Sequence, residues 1–213
     1  MSTAWLFDSR AVEYDSWYTR HRITAENEAR LVVDMLRDAP TPCMEVGVGS
    51  GFFAQRAGCM FGIDPSLEML RIALDRGIEV AVARGEALPV RSLSLGSILV
   101  VVSICFMNDP HRMMEEAYRA LKPGGVMVIC IVPKESPLGR YYSTLADKGH
   151  PYYSHARFIS IASLVEMARE AGFTVDSIKA TITYMPWERE RPEEPRDYTG
   201  KEGFACIRLI RGE

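Results

Sequence analysis

Three glycines at alternate positions are the residues of this sequence whose type and spacing best suit ligand binding. Gly47, Gly49 and Gly51 directly follow a short apolar run and precede a helical pattern. Glycines at such a turn let the backbone bend sharply and let a ligand approach it, because no Cβ stands in the way. Asp64 lies 17 residues beyond Gly47, at the end of the next apolar run. A carboxylate there can accept two hydrogen bonds from ribose hydroxyls, so the pattern indicates a nucleoside-bearing cofactor rather than a tight turn alone.

The glycine spacing differs from that of dinucleotide-binding turns, which use G-x-G-x-x-G. This chain has G-x-G-x-G, and Phe52 stands where the third glycine of the dinucleotide pattern would be. A bulky side chain there obstructs the close helix-to-strand packing that a dinucleotide turn needs. The sequence therefore disfavours an NAD-dependent oxidoreductase.

Candidate groups for substrate contact lie in two segments rich in aromatic residues, 5–18 and 141–158, and are Tyr14, Tyr18, His150, His155 and Arg157. The spacing of the two histidines does not match a helical metal-binding pair, and no cysteine or carboxylate cluster completes a tetrahedral set, so no metal site is predicted. One histidine could orient a substrate or accept a proton, since histidine titrates near neutrality. The catalytic residue itself is not identified.

The elements that must position these residues alternate between short strands and amphipathic helices. Helices are predicted over 24–38, capped by Thr24, over 110–121, capped by Asp109, and over 160–171. Strands are predicted at residues 43–47, 60–63, 78–83, 97–102, 126–132, 173–183 and 204–210. Two of these runs are apolar on both faces, which is typical of parallel strands covered by helices. The pattern predicts an α/β fold: a Rossmann-like, doubly wound, seven-stranded, mostly parallel sheet with a C-terminal antiparallel strand and helices on both faces.

The sheet also suggests how the aromatic segments act. Ligands of such sheets lie at the carboxyl ends of the strands, and a long connection after the fifth strand overhangs that edge. We expect the two segments to fold together as a lid that excludes water from a substrate. The alternative is that the rings form a satellite hydrophobic cluster under a loop.

Composition limits the class of protein. The 213 residues fit one domain, and a net charge of −3 offers no basic surface for nucleic acid. The longest apolar run, near residues 98–102, is too short to span a bilayer, so no membrane insertion is predicted. The N-terminus lacks a secretion signal, which indicates a cytoplasmic location. Five cysteines without a C-x-x-C pair, most of them in apolar strand-like surroundings, predict reduced, buried thiols.

Four motifs, in order, resemble those of class I S-adenosylmethionine-dependent methyltransferases. They are Glu45-Val-Gly-Val-Gly-Ser-Gly-Phe-Phe, Gly62-Ile-Asp-Pro-Ser, Gly85-Glu-Ala-Leu-Pro and Leu121-Lys-Pro-Gly-Gly. The resemblance is to the small-molecule branch that includes quinone-ring methylating enzymes. It runs from about residue 45 to 132 and resumes weakly at residues 171–173.

The resemblance implies S-adenosyl-L-methionine as the cofactor. The glycine turn would cradle its methionine part, Asp64 would hold the ribose, and Glu86 and Ala87 would border the adenine. Arg84 is not carried over, because family members often have an acidic residue there. The full set implied to bind the cofactor is Glu45, Gly47, Gly49, Gly51, Asp64, Pro65, Ser66, Glu86, Ala87, Ser103 and Ile104.

The activity implied is methyl transfer to a small molecule by in-line displacement, for which alignment in a dry pocket matters most and a general base is optional. The segment after the fourth strand, Ser103-Ile-Cys-Phe-Met-Asn-Asp-Pro, lacks the signatures of enzymes that methylate nucleic-acid bases. The alternative is a non-catalytic sensor of the cofactor or a partner subunit. The acceptor, the methylated atom and the oligomeric state stay open.

We divide residues 1–213, a single methyltransferase domain, by task. Residues 1–40 are an N-terminal helical or lid segment, and 41–132 are the cofactor-binding core. Residues 133–158 are the lid connection, and 159–213 complete the sheet.

Overall fold

The computed structural model describes residues 3–212 and has helices on both sides of one sheet. Its strands are β1 Cys43–Val46, β2 Phe61–Asp64, β3 Glu79–Val82, β4 Leu95–Val101, β5 Leu121–Ile131, β6 Phe173–Thr181, β7 Arg196–Asp197 and β8 Phe204–Arg211. The helices of the described residues are α1 Ala4–Asp8, α2 Ala11–Arg20, α3 Arg22–Met35, α4 Phe52–Ala57, α5 Leu67–Asp75, α6 Pro110–Ala120, α7 Pro137–Asp147 and α8 Ile161–Glu170.

The sheet has the strand order β3-β2-β1-β4-β5-β8-β6-β7. The pairs among β1 to β5 are parallel, whereas β8 runs antiparallel between β5 and β6. The predicted α/β class is confirmed, with all seven predicted strands present. The eighth strand, β7, is a two-residue addition at the edge, within the stretch expected only to connect β6 and β8; it pairs with Lys179 and Ala180 of β6.

The central strands are buried on both faces, as their apolar runs predicted. Every residue of β4 is buried. On one face the core contains Met113 of α6 and Leu164 of α8, and on the other it contains Val32 of α3 and Phe53 of α4. This two-sided cover leaves the carboxyl ends of the strands as the edge at which loops and ligands meet.

Helix α3 begins and ends earlier than predicted. Thr24 is inside the helix, and its hydroxyl forms a 2.8 Å hydrogen bond with the Tyr184 hydroxyl instead of capping. The Glu190 carboxylate, from the loop after β6, accepts the backbone N–H groups of Ile23 and Thr24 at 3.2 and 3.4 Å. The predicted cap is therefore wrong, because a residue distant in sequence replaces it. Asp109 caps α6 as predicted, accepting the Arg112 N–H at 3.0 Å.

The prediction of reduced thiols is wrong for four cysteines. Disulfides join Cys43 to Cys59 and Cys130 to Cys206. Cys130 and Cys206 lie directly opposite each other in the β5–β8 register, a pairing that depends on which strands are neighbours. Cys105 is the free cysteine of the described residues. Across residues 3–212, no helix combines the length and the apolar character needed to cross a membrane.

Candidate active site

The glycine turn connects β1 to α4 in a backbone conformation that favours glycine. Gly47, Gly49 and Gly51 have φ angles of +73°, +50° and +80°. A Cβ at Gly47 would collide with the Ser103 side chain, whereas a Cβ at Gly49 would meet no heavy atom within 4 Å. The turn thus packs closely against the loop after β4 on one side and is open at Gly49, where a ligand can approach the backbone.

Asp64 ends β2 beside this turn. Its two carboxylate oxygens accept backbone N–H groups, one from Gly49 at 3.0 Å and one from Ser66 at 2.8 Å. Burial raises the pKa of Asp64 to about 6, although these two hydrogen bonds act in the opposite direction. Each oxygen has a further lone pair, so the carboxylate can accept ribose hydroxyls while the turn holds it in place.

A cavity of about 100 Å³, which we call the glycine-turn cavity, lies along this turn. Of the predicted cofactor residues, those that line it are Gly47, Gly49, Asp64, Pro65, Glu86 and Ser103. Its wall also includes Phe7 and Tyr14 from the N-terminal helices and Arg84, Met107 and Asn108, none of which was assigned to the cofactor from sequence.

The other predicted cofactor residues lie outside the lining of this cavity. Gly51 begins α4, and the Ser66 hydroxyl caps α5 by accepting the Met69 N–H at 3.3 Å. Ile104 is fully buried in the core. Ala87 is exposed and closes a turn by donating its N–H to the Arg84 carbonyl at 3.0 Å.

Glu86 lines the glycine-turn cavity, whereas Glu45 of β1 is buried outside its lining. Burial raises the pKa of Glu45, and its buried Oε2 has no hydrogen-bond partner among the described residues. Burial acts to raise the pKa of Glu86 as well, but hydrogen bonds from Arg84 and from the N–H groups of Asn108 and Asp109 lower it below its ordinary value. Arg84 stands where family members often have an acidic residue. Its guanidinium forms an ion pair with Glu86 at 3.3 Å. The open backbone at Gly49 and the Asp64 acceptors fit a polar, nucleoside-bearing ligand.

A second and larger cavity of about 370 Å³, the aromatic cavity, adjoins the first. Both cavities are lined by Tyr14, Val101, Val102 and Phe106, so they meet at the carboxyl end of β4. The other aromatic residues that line it are Trp17, Tyr18, Phe53, Tyr142, Tyr152, Tyr153 and Phe158. Such a wall suits an apolar or aromatic ligand.

The two aromatic segments contact each other across these cavities. The Tyr152 ring centroid lies 6.0 Å from that of Phe7 and 5.7 Å from that of Tyr14. Trp5 packs edge-on against His155 at 5.5 Å. Both the predicted lid and the alternative of a hydrophobic cluster require these contacts.

The structure places three of the five candidate substrate residues at the aromatic cavity, namely Tyr14, Tyr18 and His150. His155 and Arg157 are exposed and lie outside its lining, whereas Ala156 and Phe158 beside them line it. Burial raises the pKa of Tyr14 and of Tyr18, so both phenols stay protonated at neutral pH. Burial lowers the pKa of His150, whose Nδ1 accepts the Tyr152 N–H at 3.3 Å.

Sequence reasoning missed one residue of the aromatic cavity, Glu28, and did not foresee the packing role of Phe52. Glu28 lines the aromatic cavity from α3, between Ala25 and Val32 of its buried face. The signal was a charged residue close to apolar positions of the helix predicted over 24–38. Phe52 packs beneath Tyr18, with ring centroids 3.9 Å apart. Within residues 3–212 no group of three or more metal-ligating side chains is found.

Comparison with known proteins identifies the cofactor. A family model described as "Methyltransferase domain" matches residues 44–129. An uncharacterized protein of Methanocaldococcus jannaschii is 35% identical over 95% of this chain and 97% of its own. A malonyl-[acyl-carrier protein] O-methyltransferase of Marinomonas is 25% identical over 82% of this chain and 63% of its own.

A crystal structure from Thermotoga maritima agrees across the whole fold. It is described as a SAM-dependent methyltransferase, "possible histamine N-methyltransferase", and is 34% identical with a TM-score of 0.91. The match covers 98% of this chain and 99% of that one. S-adenosylmethionine is accordingly the cofactor, and the chain belongs to the class I S-adenosylmethionine-dependent methyltransferases.

Proposed function

We propose that this chain transfers the methyl group of S-adenosylmethionine to a small molecule bound in the aromatic cavity. The observation that carries the proposal is the wall that the two cavities share, at Tyr14, Val101, Val102 and Phe106. A cofactor along the glycine turn and an acceptor among the aromatic rings would meet there. The cofactor supplies an activated methyl group, so the protein has mainly to align the reactants and exclude water.

For the cofactor we propose a binding site in the glycine-turn cavity. Asp64 would accept the ribose hydroxyls, and the backbone at Gly47 and Gly49 would border the methionine part. Glu86 and Ser103, on the same cavity wall, would contact opposite ends of the cofactor. The other predicted cofactor residues do not line this cavity and would act by shaping its wall. They are Glu45, Gly51, Ser66, Ala87 and Ile104.

We propose that residues 1–40 and 133–158 serve as a lid in this single domain. The glycine-turn cavity measures about 100 Å³, whereas pockets for ligands of drug size take roughly 300 Å³ or more. Phe7 and Tyr14 form part of its wall, so movement of the N-terminal helices would enlarge it. Closure over bound ligands would then exclude water from the reaction.

No side chain of the aromatic cavity needs to act as a strong base. Tyr14 and Tyr18 hold their protons, and burial raises the pKa of Cys105 to about 12. His150 stays neutral and could orient an acceptor. Positioning and exclusion of water are the contributions that this cavity supports.

Transfer of a labelled methyl group tests the proposal. The protein is incubated with S-adenosylmethionine labelled in its methyl group and with a panel of small phenols, catechols, amines and thiols, while calorimetry measures S-adenosylhomocysteine binding. Label in a small molecule supports a transferase. Cofactor binding without transfer to any acceptor would instead favour the sensor or partner subunit.

Two further predictions have their own tests. The same transfer assay with RNA and DNA tests the prediction that nucleic acid is no substrate. Cell fractionation tests the predicted cytoplasmic location.

A further inference from the structure

Glu28 lines the aromatic cavity as a carboxylate that has no partner among the described residues. It lies one helical turn after Thr24, and both side chains line the cavity. Among residues 3–212, no side chain or backbone N–H donates a hydrogen bond to the Glu28 carboxylate, and no cation pairs with it. Removing a charge from water without such a partner is unfavourable, so the carboxyl keeps its proton when the cavity is empty, and a cationic ligand would stabilise its ionised form.

Other carboxylates of the described chain show how unusual this is. Glu26, two residues earlier, pairs with Arg56 at 3.0 Å on the outer side of the same helix. Glu116 is buried and pairs with Arg112 and Arg119. Glu202 accepts the Thr199 hydroxyl at 2.8 Å. These carboxylates have partners within the protein, whereas Glu28 faces the cavity.

Aromatic rings from three parts of the chain surround this carboxylate. Tyr14 and Tyr18 of α2 pack edge to face with ring centroids 6.1 Å apart, and Tyr142 of α7 stacks on Tyr153 at 4.3 Å. The negative charge of Glu28 acts on the phenols of all four. One carboxylate among aromatic faces is the composition that binds ammonium groups, through an ion pair and cation–π contacts together.

We propose that the methyl acceptor carries a basic amine and that Glu28 binds this amine as its ammonium form within the aromatic cavity. The proposal deepens the proposed function and rests on it. It names the chemical class of the acceptor and assigns Glu28 as the residue that selects it. An acceptor with a hydroxyl in place of the amine would lack the charge that Glu28 requires.

The ionisation of Glu28 makes the proposal sensitive to pH. Burial raises the pKa of Glu28 to about 8, and the negative charge of Glu190 acts in the same direction. The four tyrosines that face it stay protonated. The other titratable groups that line the cavity are Glu13, Arg20, Cys105, His150 and Tyr152. An ammonium ligand needs the ionised carboxylate, so its affinity should rise about tenfold from pH 6 to pH 7 and about fivefold from pH 7 to pH 8.

The test uses the full chain saturated with S-adenosylhomocysteine and two matched probes, 2-phenylethylamine and 2-phenylethanol. Calorimetry and thermal shift measure binding of each to the wild type, to Glu28→Gln and to the control Glu26→Gln. We expect the wild type and Glu26→Gln to bind the amine at least tenfold more tightly than the alcohol at pH 8. Glu28→Gln should lose that preference and its pH dependence, while keeping its affinity for S-adenosylhomocysteine, which shows that it folds.

Several outcomes would overturn the proposal. Equal binding of amine and alcohol by the wild type would do so, as would unchanged amine binding by Glu28→Gln or no amine binding at all. Labelled methyl transfer is measured in parallel with amines and with neutral acceptors. This assay distinguishes failure of the amine proposal from failure of the proposed transferase function. Transfer only to neutral acceptors would refute the proposal that the acceptor is an amine, while the proposed transferase function would stand. No transfer to any acceptor would refute the proposed function itself.

Discussion

Phe52 shows how a single side chain distinguishes this turn from a dinucleotide-binding one. It occupies the position where such a turn needs glycine, and its ring is a platform between two elements. Tyr18 stacks on it at 3.9 Å, and the Arg56 guanidinium lies 3.7 Å from its centroid. Phe52, whose bulk disfavours an NAD-binding turn, also holds Tyr18 of α2 against the start of α4. It therefore helps to position a side chain that lines the aromatic cavity.

Ionisation of Asp64 should control cofactor affinity. Its carboxylate form, which accepts ribose hydroxyls, predominates above its pKa of about 6 and is lost as the pH falls below that value. We expect the dissociation constant of S-adenosylhomocysteine, measured by calorimetry, to increase about tenfold from pH 7 to pH 5. The Asp64→Asn variant should bind weakly at each pH and show no such increase. A wild-type affinity that is flat over this range would contradict the assignment.

At the scale of elements, the cap of α3 joins the helix that carries Glu28 to the loop after β6. Glu190 accepts two N–H groups of the helix and contacts His21 Nδ1 at 2.8 Å. We expect Glu190→Ala to lower the free energy of unfolding by about 1 kcal/mol, because the capping acceptor is lost. Urea denaturation measures the change.

The matched control for the cap is Glu194→Ala. Glu194 lies in the same loop and pairs with Arg30, but its side chain is 80% exposed. Exposed pairs contribute little, so we expect a loss below about 0.5 kcal/mol. Equal losses in the two variants would show that Glu190 does not cap α3.

A second contact between elements attaches the proposed lid to the sheet. Asp8, at the end of α1, accepts the Ser66 hydroxyl at 2.6 Å and the Glu68 N–H at 3.2 Å. Its carboxylate thus lies at the N-terminus of α5, where a negative charge is favoured. We expect Asp8→Ala to release α1 and to increase hydrogen exchange in the first helix at least tenfold. Asp75→Ala, at the far end of α5, should leave that exchange unchanged; an effect of equal size would contradict the attachment.

At the scale of the whole molecule, two disulfides cross-link the fold, and one of them joins the neighbouring strands β5 and β8. The Cys130–Cys206 link joins residues 76 apart, so its removal by substitution should lower the free energy of unfolding by about 2–4 kcal/mol.

Alkylation of thiols counts the free cysteines. Without reductant, the denatured chain should gain one alkyl group, at Cys105, and after reduction it should gain five. Cys105→Ala should reduce the first number to zero. Five groups without reductant would contradict both disulfides.

The arrangement of the whole sheet also explains why the site is where it is. The glycine turn follows β1, Asp64 ends β2, and the shared wall lies at the end of β4, so parallel strands bring these residues to one edge. The N-terminal helices and the segment after β5 cover that edge. The fold therefore assembles the two cavities from chain segments more than 100 residues apart.

The sequence by itself determined the α/β class, seven strands and the position of the glycine turn with Asp64. These features depend on residues close together along the chain: apolar periodicity sets each strand and helix, and glycines set the turn. The caps at Asp109 and Ser160 were predictable for the same reason, since each bonds to an N–H three residues on.

Only the tertiary structure decided which residues meet across the chain. It paired Cys130 with Cys206, replaced Thr24 by Glu190 as the cap of α3, and left His155 and Arg157 outside the lining of the aromatic cavity. It also placed Glu28 among tyrosines of three segments. Each of these outcomes depends on strand order and helix packing, which bring together residues whose separation in sequence carries no local signal. Local patterns therefore set the cofactor core, whereas packing set the cavity proposed for the acceptor.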